Sequence, residues 1–400
     1  MTWRTLVQNK LILYFLLIPF FVPYSLKFIP SVARIYALTS FWKLGSVMLI
    51  FLLYLMRHKL SVIIFLISTI NLILFTSSAF NGLHDINVYT DLLPALALPM
   101  LIELGIEANI DEMLHVIFMI LATLTFLNFI LLIIYPKGLP FASLYTQARN
   151  PLYFLGQDNG IVYNLLSLLG INYILAVKNY SILKVNLLLN DKILKITPRI
   201  FFFNVICLLT MMIVGSATGT MMVLLFIMML QFSTFIKRKH NIWPLIAIYF
   251  SFFLSVIVFG KSNPLIAEVT NLLGRDAGFT GRSLLWENSL ELISQKPLFG
   301  WGNNAEIIPI WGNFFSSHNQ LLDVAARGGL LALVFFIGLH VYIFLILGKI
   351  PSSLANILFV TIFCFLVGGL MEAGVRPTQY IFIALAYYAY VDYKKTRIQA

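Results

Sequence analysis

Charge is scarce in this sequence. Of 400 residues, 11% are Asp, Glu, Lys or Arg, less than half the roughly 25% of a soluble domain. Acidic residues are the rarer sign, 16 against 27 Lys and Arg. That excludes a soluble Rossmann or barrel enzyme and a disordered tail protein. Cysteine is almost missing as well. Cys207 and Cys364 both lie inside apolar runs, where a thiol behaves as a small core residue, so there is no disulfide framework and no thiolate metal site. Asp-x-Asp, His-Glu-x-x-His and Gly-x-x-x-x-Gly-Lys-Ser/Thr do not occur. Their absence speaks against a metal-dependent nucleotide-sugar enzyme and an ATP-driven pump, and no metal or other cofactor is expected. What fills the chain is apolar: 60% hydrophobic and 15% aromatic.

At about 20 apolar residues per bilayer crossing, a dozen crossings would use ~240 residues, which matches the apolar share and excludes a single-span receptor. Apolar runs fall near 11–30, 36–56, 60–79, 92–106, 113–135, 159–177, 200–215, 219–236, 242–260, 327–348, 353–371 and 378–391. The sequence therefore predicts an all-α polytopic membrane protein with about twelve transmembrane helices and both termini cytoplasmic. Sixteen of the 27 basic residues then fall in short inner segments, as the positive-inside rule requires. The net charge of +11 is thereby a matter of topology and gives no reason to expect nucleic acid. One inner segment, 107–112, is discordant: it holds Glu107, Asp111 and Glu112 and no basic residue. Residues 178–199 read as an inner interfacial helix with snorkelling lysines. The expected organisation is a bundle of nine spans over 1–260, an external catalytic loop over 261–326, and three further spans with a short tail over 327–400.

The external loop concentrates the polar chemistry. In GRSLLWENSLELISQK, 281–296, Trp286, Leu290 and Ile293 share one face and Ser283, Glu287, Asn288 and Glu291 another. This spacing predicts an amphipathic helix on the membrane surface. Arg282 stands at its start, where free backbone N–H groups and a guanidinium form an anion site; the alternative is an arginine that merely snorkels. PLFGWGNN, 297–304, is a forced turn. Ser316-Ser317-His318-Asn319-Gln320 then precedes a helix that runs through Arg327-Gly328-Gly329 into the tenth span. His58, His84, His115, His240 and His340 sit in ordinary structural or interfacial places, whereas polar neighbours flank His318 on the same side as Arg282.

The two segments GRSLLWENSLELISQKPLFGWGNN and SSHNQLLDVAARGGLLALVFF resemble the module of the O-antigen polymerase/O-antigen ligase superfamily: a Gly-Arg start, a Trp, Pro-x-x-Gly-x-Gly, then His-Asn before a Gly-rich helix. The resemblance covers roughly 280–340. The family also carries an arginine in a short outer turn between two central spans. Here that turn is Gly215-Ser216-Ala217-Thr218-Gly219-Thr220, with no arginine, leaving Arg149 or Arg376 to supply the charge.

The resemblance implies a metal-independent glycosyltransferase of the cytoplasmic membrane, moving a glycan from a polyprenyl-diphosphate carrier to the next lipid-linked repeat at the outer face. A chain-length regulator and a flippase are the implied partners besides the lipid-linked oligosaccharides and the bilayer. The roles it implies are Arg282 on the donor diphosphate, helped by Arg149 or Arg376. His318 is the general base or acceptor-orienting group, and Asn319 and Gln320 orient sugar hydroxyls. Asp158 is a second candidate base or a polar helix cap. Trp301 and Trp311 stack on sugar rings or belong to the interface belt. Glu372 is expected to pair with Arg376. Of the eleven basic residues not assigned inside, six are arginine and five lysine, where the inner ones are five against eleven, a bias that suits phosphate recognition. Two alternatives stand beside the polymerase. An O-antigen ligase would deliver the glycan to a lipid A core. A twelve-span flippase or transporter would use an intramembrane ionisable residue such as Lys43.

Overall fold

The computed structural model describes residues 3–57, 59–140, 151–177, 197–231, 242–258, 282–303, 308–310, 313–374 and 376–399. Arg149, Trp311 and most of the expected inner helix at 178–199 lie outside them. The elements in chain order are α1 Trp3–Gln8, α2 Lys10–Phe21, α3 Pro30–Leu55, α4 Val62–Phe80, α5 Ile86–Thr90, α6 Leu93–Ala108 and α7 Ile110–Ile134. There follow a small hairpin of β1 Leu152–Tyr153 and β2 Gly156–Gln157, then α8 Ile161–Ala176, α9 Pro198–Val214, α10 Ala217–Gln231 and α11 Ile242–Phe252. The last group is α12 Arg282–Gln295, a second hairpin of β3 Ile308–Ile310 and β4 Asn313–Phe315, α13 Gln320–Leu347, α14 Ser353–Gly369 and α15 Pro377–Gln399.

The protein is an all-α polytopic membrane protein. Each of the twelve apolar runs coincides with a helix: α2–α4, α6–α11 and α13–α15. Among the described residues five helical segments are long and apolar enough to cross a membrane on their own, and α2, α9, α10, α11 and α14 are shorter apolar helices. Polar caps set the starts where the sequence supplies them. Asn9, Ser61, Asn109, Thr197, Asn319 and Ser352 each accept a first-turn backbone N–H, groups that would otherwise face hydrocarbon unpaired. The first run, 11–30, is shorter as a helix than as a pattern. α2 stops at Phe21, a 3-10 turn fills Tyr24–Phe28, and α3 begins at Pro30, because Pro23 and Pro30 cannot donate to a continuous ladder.

α8, α14 and α15 form the centre. Residues 161–174 of α8 are almost all buried, and Gly170 lets Phe382 of α15 and Thr361 of α14 approach to where a Cβ would sit, 2.7 and 2.9 Å away. Small residues at such crossings replace the hydrophobic drive that lipid removes.

One helix departs from a simple span. Gly329 has φ 69° and ψ −173° inside α13, which divides it into a limb of residues 320–328 and a long second limb. The first limb folds back into the bundle. Gln320, its first residue, hydrogen-bonds Gln379, and Gln379 meets His340, eleven residues or roughly 16 Å along the second limb from Gly329. The PLFGWGN turn closes the break. Trp301 and Gly302 donate their backbone N–H to the Ala326 and Arg327 carbonyls at 2.8 Å, and Leu330 donates to Pro297 at 2.7 Å. Backbone groups freed by the kink are thus satisfied within the protein, as a bent segment at membrane depth demands. Glycine is obligatory here: a Cβ on Gly329 would lie 2.1 Å from the Leu298 carbonyl oxygen, and one on Gly300 (φ 66°) 2.6 Å from that of Ala326.

α12 forms where the spacing predicts it, but on a different bed. Its apolar face, with Leu285, Trp286 and Ile293 buried, packs on α13 and β3 and not on the lipid surface alone. The re-entrant limb of α13 offers it an apolar protein surface that the sequence pattern does not reveal.

Candidate functional site

Four segments assigned to the outer side by their charge pattern meet at one place. Glu372, in the turn between α14 and α15, is the hub. Asn159 donates its Nδ2 to Glu372 Oε1 at 2.6 Å. Ser216 donates its Oγ to Asn159 Oδ1 at 2.5 Å and receives the Gly219 N–H at 2.9 Å. Arg282 brings Nη2 to 3.6 Å from Glu372 Oε1, and His318 brings Nδ1 to 3.9 Å from Oε2. The α9–α10 turn, the start of α8, the start of α12 and the approach to α13 therefore converge on one carboxylate.

This corrects one expectation. Glu372 pairs with Arg282, and Arg376 turns away from it to lie 4.8 Å over the Tyr163 ring. The two residues are four apart, but the turn leaves Glu372 facing residues distant in sequence. Arg376 makes no ion pair among the described residues, and its Nε is buried without a hydrogen-bond partner.

His318 is held in an uncommon backbone conformation, φ 46°, the only positive φ of a non-glycine residue among those described. Ser317 fixes the turn by donating its Oγ to the Asn319 carbonyl at 2.8 Å. Burial pushes the imidazole below its ordinary value of 6.5, with Glu372 opposing that shift, Arg282 adding to it and Asp323 opposing it. A neutral imidazole beside a carboxylate and a guanidinium can accept a proton.

Asn319 and Gln320 are buried in the scaffold behind His318. Asn319 caps the first limb by accepting from Leu322 N–H at 3.0 Å and donates to the Leu370 carbonyl at 3.0 Å. Gln320 donates to Gln379 Oε1 at 3.3 Å and to the Gly374 carbonyl at 3.4 Å. Asp158 opens the turn before α8, which has no side-chain cap, and its Oδ1 is buried with no hydrogen-bond partner. Trp301 belongs to the turn that closes the kink. Its indole donates to the Leu292 carbonyl at 2.9 Å, and the Lys296 ammonium covers one face, 3.9 Å from the ring centroid. Arg327, assigned outside by the charge pattern, is spent on the buried Asp323 at 2.9 Å and on Asn303.

Sequence reasoning set Glu372 aside and did not name Asn159, Tyr163 or Gln379. The only local signal was polarity in short outer turns, and the turn at 215–220 had been singled out for what it lacks. Among the described residues no group of three or more His, Cys, Asp or Glu could hold a metal ion.

Residues 202–337 match the family described as O-antigen ligase. The match spans about a third of the chain. It runs from α9 into the second limb of α13, so the matched residues include Ser216, Arg282 and His318 of the site. Glu372, Asn159, Asp158 and Arg376 come from outside the matched residues and complete it. Members of the family are glycosyltransferase-like membrane enzymes. No curated protein matches the chain.

Proposed function

We propose that the protein is a polysaccharide polymerase of the cytoplasmic membrane. It transfers a growing glycan from a polyprenyl-diphosphate carrier to the next lipid-linked repeat unit, at the outer face and without a metal. The observation that carries this reading is the cluster of Arg282, His318 and Glu372, beside an unpaired Arg376. It combines free positive charge for a diphosphate with a base for a sugar hydroxyl.

In the proposed reaction the acceptor hydroxyl oxygen bonds to the anomeric carbon of the donor glycan as the bond from that carbon to the diphosphate oxygen breaks. His318 takes the hydroxyl proton. The electron pair leaves with the diphosphate, whose growing charge falls on Arg282 and Arg376, and on Arg149 if the outer loop brings it there. A donor aimed at developing charge contributes about 3 kcal/mol in such a site. Glu372 holds Arg282 and His318 in register. Asp158 is a second acceptor for a sugar hydroxyl, and Trp301 offers the ring face not covered by lysine. The loop 261–326 and the re-entrant limb act together as the catalytic unit.

The family description favours a second reading, a ligase that moves a finished glycan to a lipid A core. Both readings use the same site chemistry and differ in the acceptor. Deleting the gene in its host and resolving the surface glycan by size separates them. Loss of a polymerase leaves single repeat units, whereas loss of a ligase leaves full-length chains on the carrier lipid. A chain-length regulator and a flippase would be the polymerase's partners.

A further inference from the structure

His340 lies buried inside the second limb of α13, its ring centroid 4.4 Å from that of Phe336. An imidazole at such a depth is costly unless it is used. Its bonds show a direction. Nδ1 lies 2.8 Å from the Phe336 carbonyl oxygen, which can only accept, so Nδ1 carries the proton. Nε2 is then an acceptor, and Gln379 Nε2 donates to it at 2.8 Å. That fixes the Gln379 amide with its Oε1 toward Gln320, whose Nε2 donates to it at 3.3 Å. The same Gln320 Nε2 reaches the Gly374 carbonyl at 3.4 Å. Each amide in this row has one orientation that satisfies both neighbours, and His340 decides which.

The row ends at the site. Asn319 bonds the Leu370 carbonyl and Gln320 the Gly374 carbonyl, so the cap and first residue of α13 grip both sides of the turn that carries Glu372. His318 precedes them and Glu372 lies between the two gripped carbonyls. We infer that His340 and Gln379 are positioning residues: through Gln320 they set the separation of His318 from Glu372, though neither touches substrate. The inference builds on the reading of His318 as the base, but its geometry can be tested without substrate.

The groups facing His318 are Glu372, Arg282 and Asp323. Loosening Gln320 lets Glu372 withdraw, and the imidazolium loses its nearest support. The experiment is an NMR titration of ¹⁵N-histidine-labelled full-length protein in detergent, with the His318 signal assigned from a His318→Gln sample. His340→Phe, which keeps a ring and removes the acceptor, should lower the His318 midpoint by up to about one pH unit. His340→Gln, whose carbonyl can accept from Gln379, should return it toward the wild-type value. Gly369→Ala attacks the row from its other end, since a Cβ there would lie 2.5 Å from Gln320 Oε1, and should lower the midpoint too. If His340→Phe yields no folded protein, Gly369→Ala carries the test. An unmoved midpoint in folded His340→Phe, or in folded Gly369→Ala, overturns the inference. A lowered midpoint that leaves the acid limb of the pH profile of glycan transfer where it is in the wild type supports the positioning row and removes His318 from the role of base.

Discussion

At the scale of the residue, the account turns on Glu372 and the two groups it holds. Arg282 lies at 3.6 Å and His318 at 3.9 Å, spacings loose enough for both groups to turn toward a substrate. Arg282→Ala and His318→Ala should each abolish glycan transfer while the protein accumulates normally in membranes. Glycan sizing together with immunoblotting checks both. Glu372→Gln keeps the shape and removes the charge, and should lower transfer by about 10²-fold, within the range of general acid–base contributions. The pH dependence follows from the direction of the His318 shift. A base must be neutral, and burial holds this imidazole below 6.5, so transfer should stay constant through neutrality and fall only as pH drops through a midpoint below that value. An acid limb above 6.5 in a pH–rate profile would exclude His318 as the titrating base. Arg282 and His318 were readable in the sequence because polar residues are conspicuous in an apolar chain. Glu372 was not, because Arg376 four residues away offered an easy partner, and only the fold shows the turn presenting the two side chains to different neighbours.

At the scale of the element, the bent α13 is what brings His318 inward. The helix periodicity through 320–347 marks one continuous helix and carries no sign of direction. The reversal at Gly329 depends on a positive φ and on the amides of a turn twenty-odd residues earlier. Gly329→Ala should cost on the order of 2 kcal/mol or more from strain and overlap with the Leu298 carbonyl. It should lower the thermal midpoint in detergent together with activity, and a wild-type midpoint would mean that the two limbs do not pack as described. The pattern in α12 was right about the apolar face and silent about its partner, since an amphipathic stripe reads the same against lipid as against a protein limb.

At the scale of the whole molecule, the two ends of the bundle do different things. One end is a saturated ion-pair lock. Arg57 donates to Glu103 at 2.6 Å, to Glu107 at 2.8 Å and to Tyr388 at 2.8 Å, and Glu103 also receives the hydroxyls of Tyr54 and Ser61. This joins α3, α6 and α15, and Lys10 pairs with Glu112 at 3.4 Å nearby. The acidic segment at 107–112, discordant by charge counting, thus meets cations from segments that the charge pattern assigns to the same side. Arg57→Ala would strand Glu103, which is fully buried, and should destabilise the fold by about 3–5 kcal/mol, read as loss of folded protein that leaves the remaining molecules with normal transfer. The opposite end leaves Arg376 unpaired and the Asp158 Oδ1 without a partner, which suits a place where a charged, hydroxylated substrate arrives.

The cluster of Arg282, His318 and Glu372 is proposed to lengthen a lipid-linked glycan. Its most direct measurement is the size distribution of surface glycan in the host after gene deletion, with wild-type and His318→Ala genes returned in turn. Single repeat units are expected in the deletion strain and with His318→Ala, and full-length polymer with the wild-type gene. Full-length chains retained on the carrier lipid, or an unchanged size distribution, would contradict it.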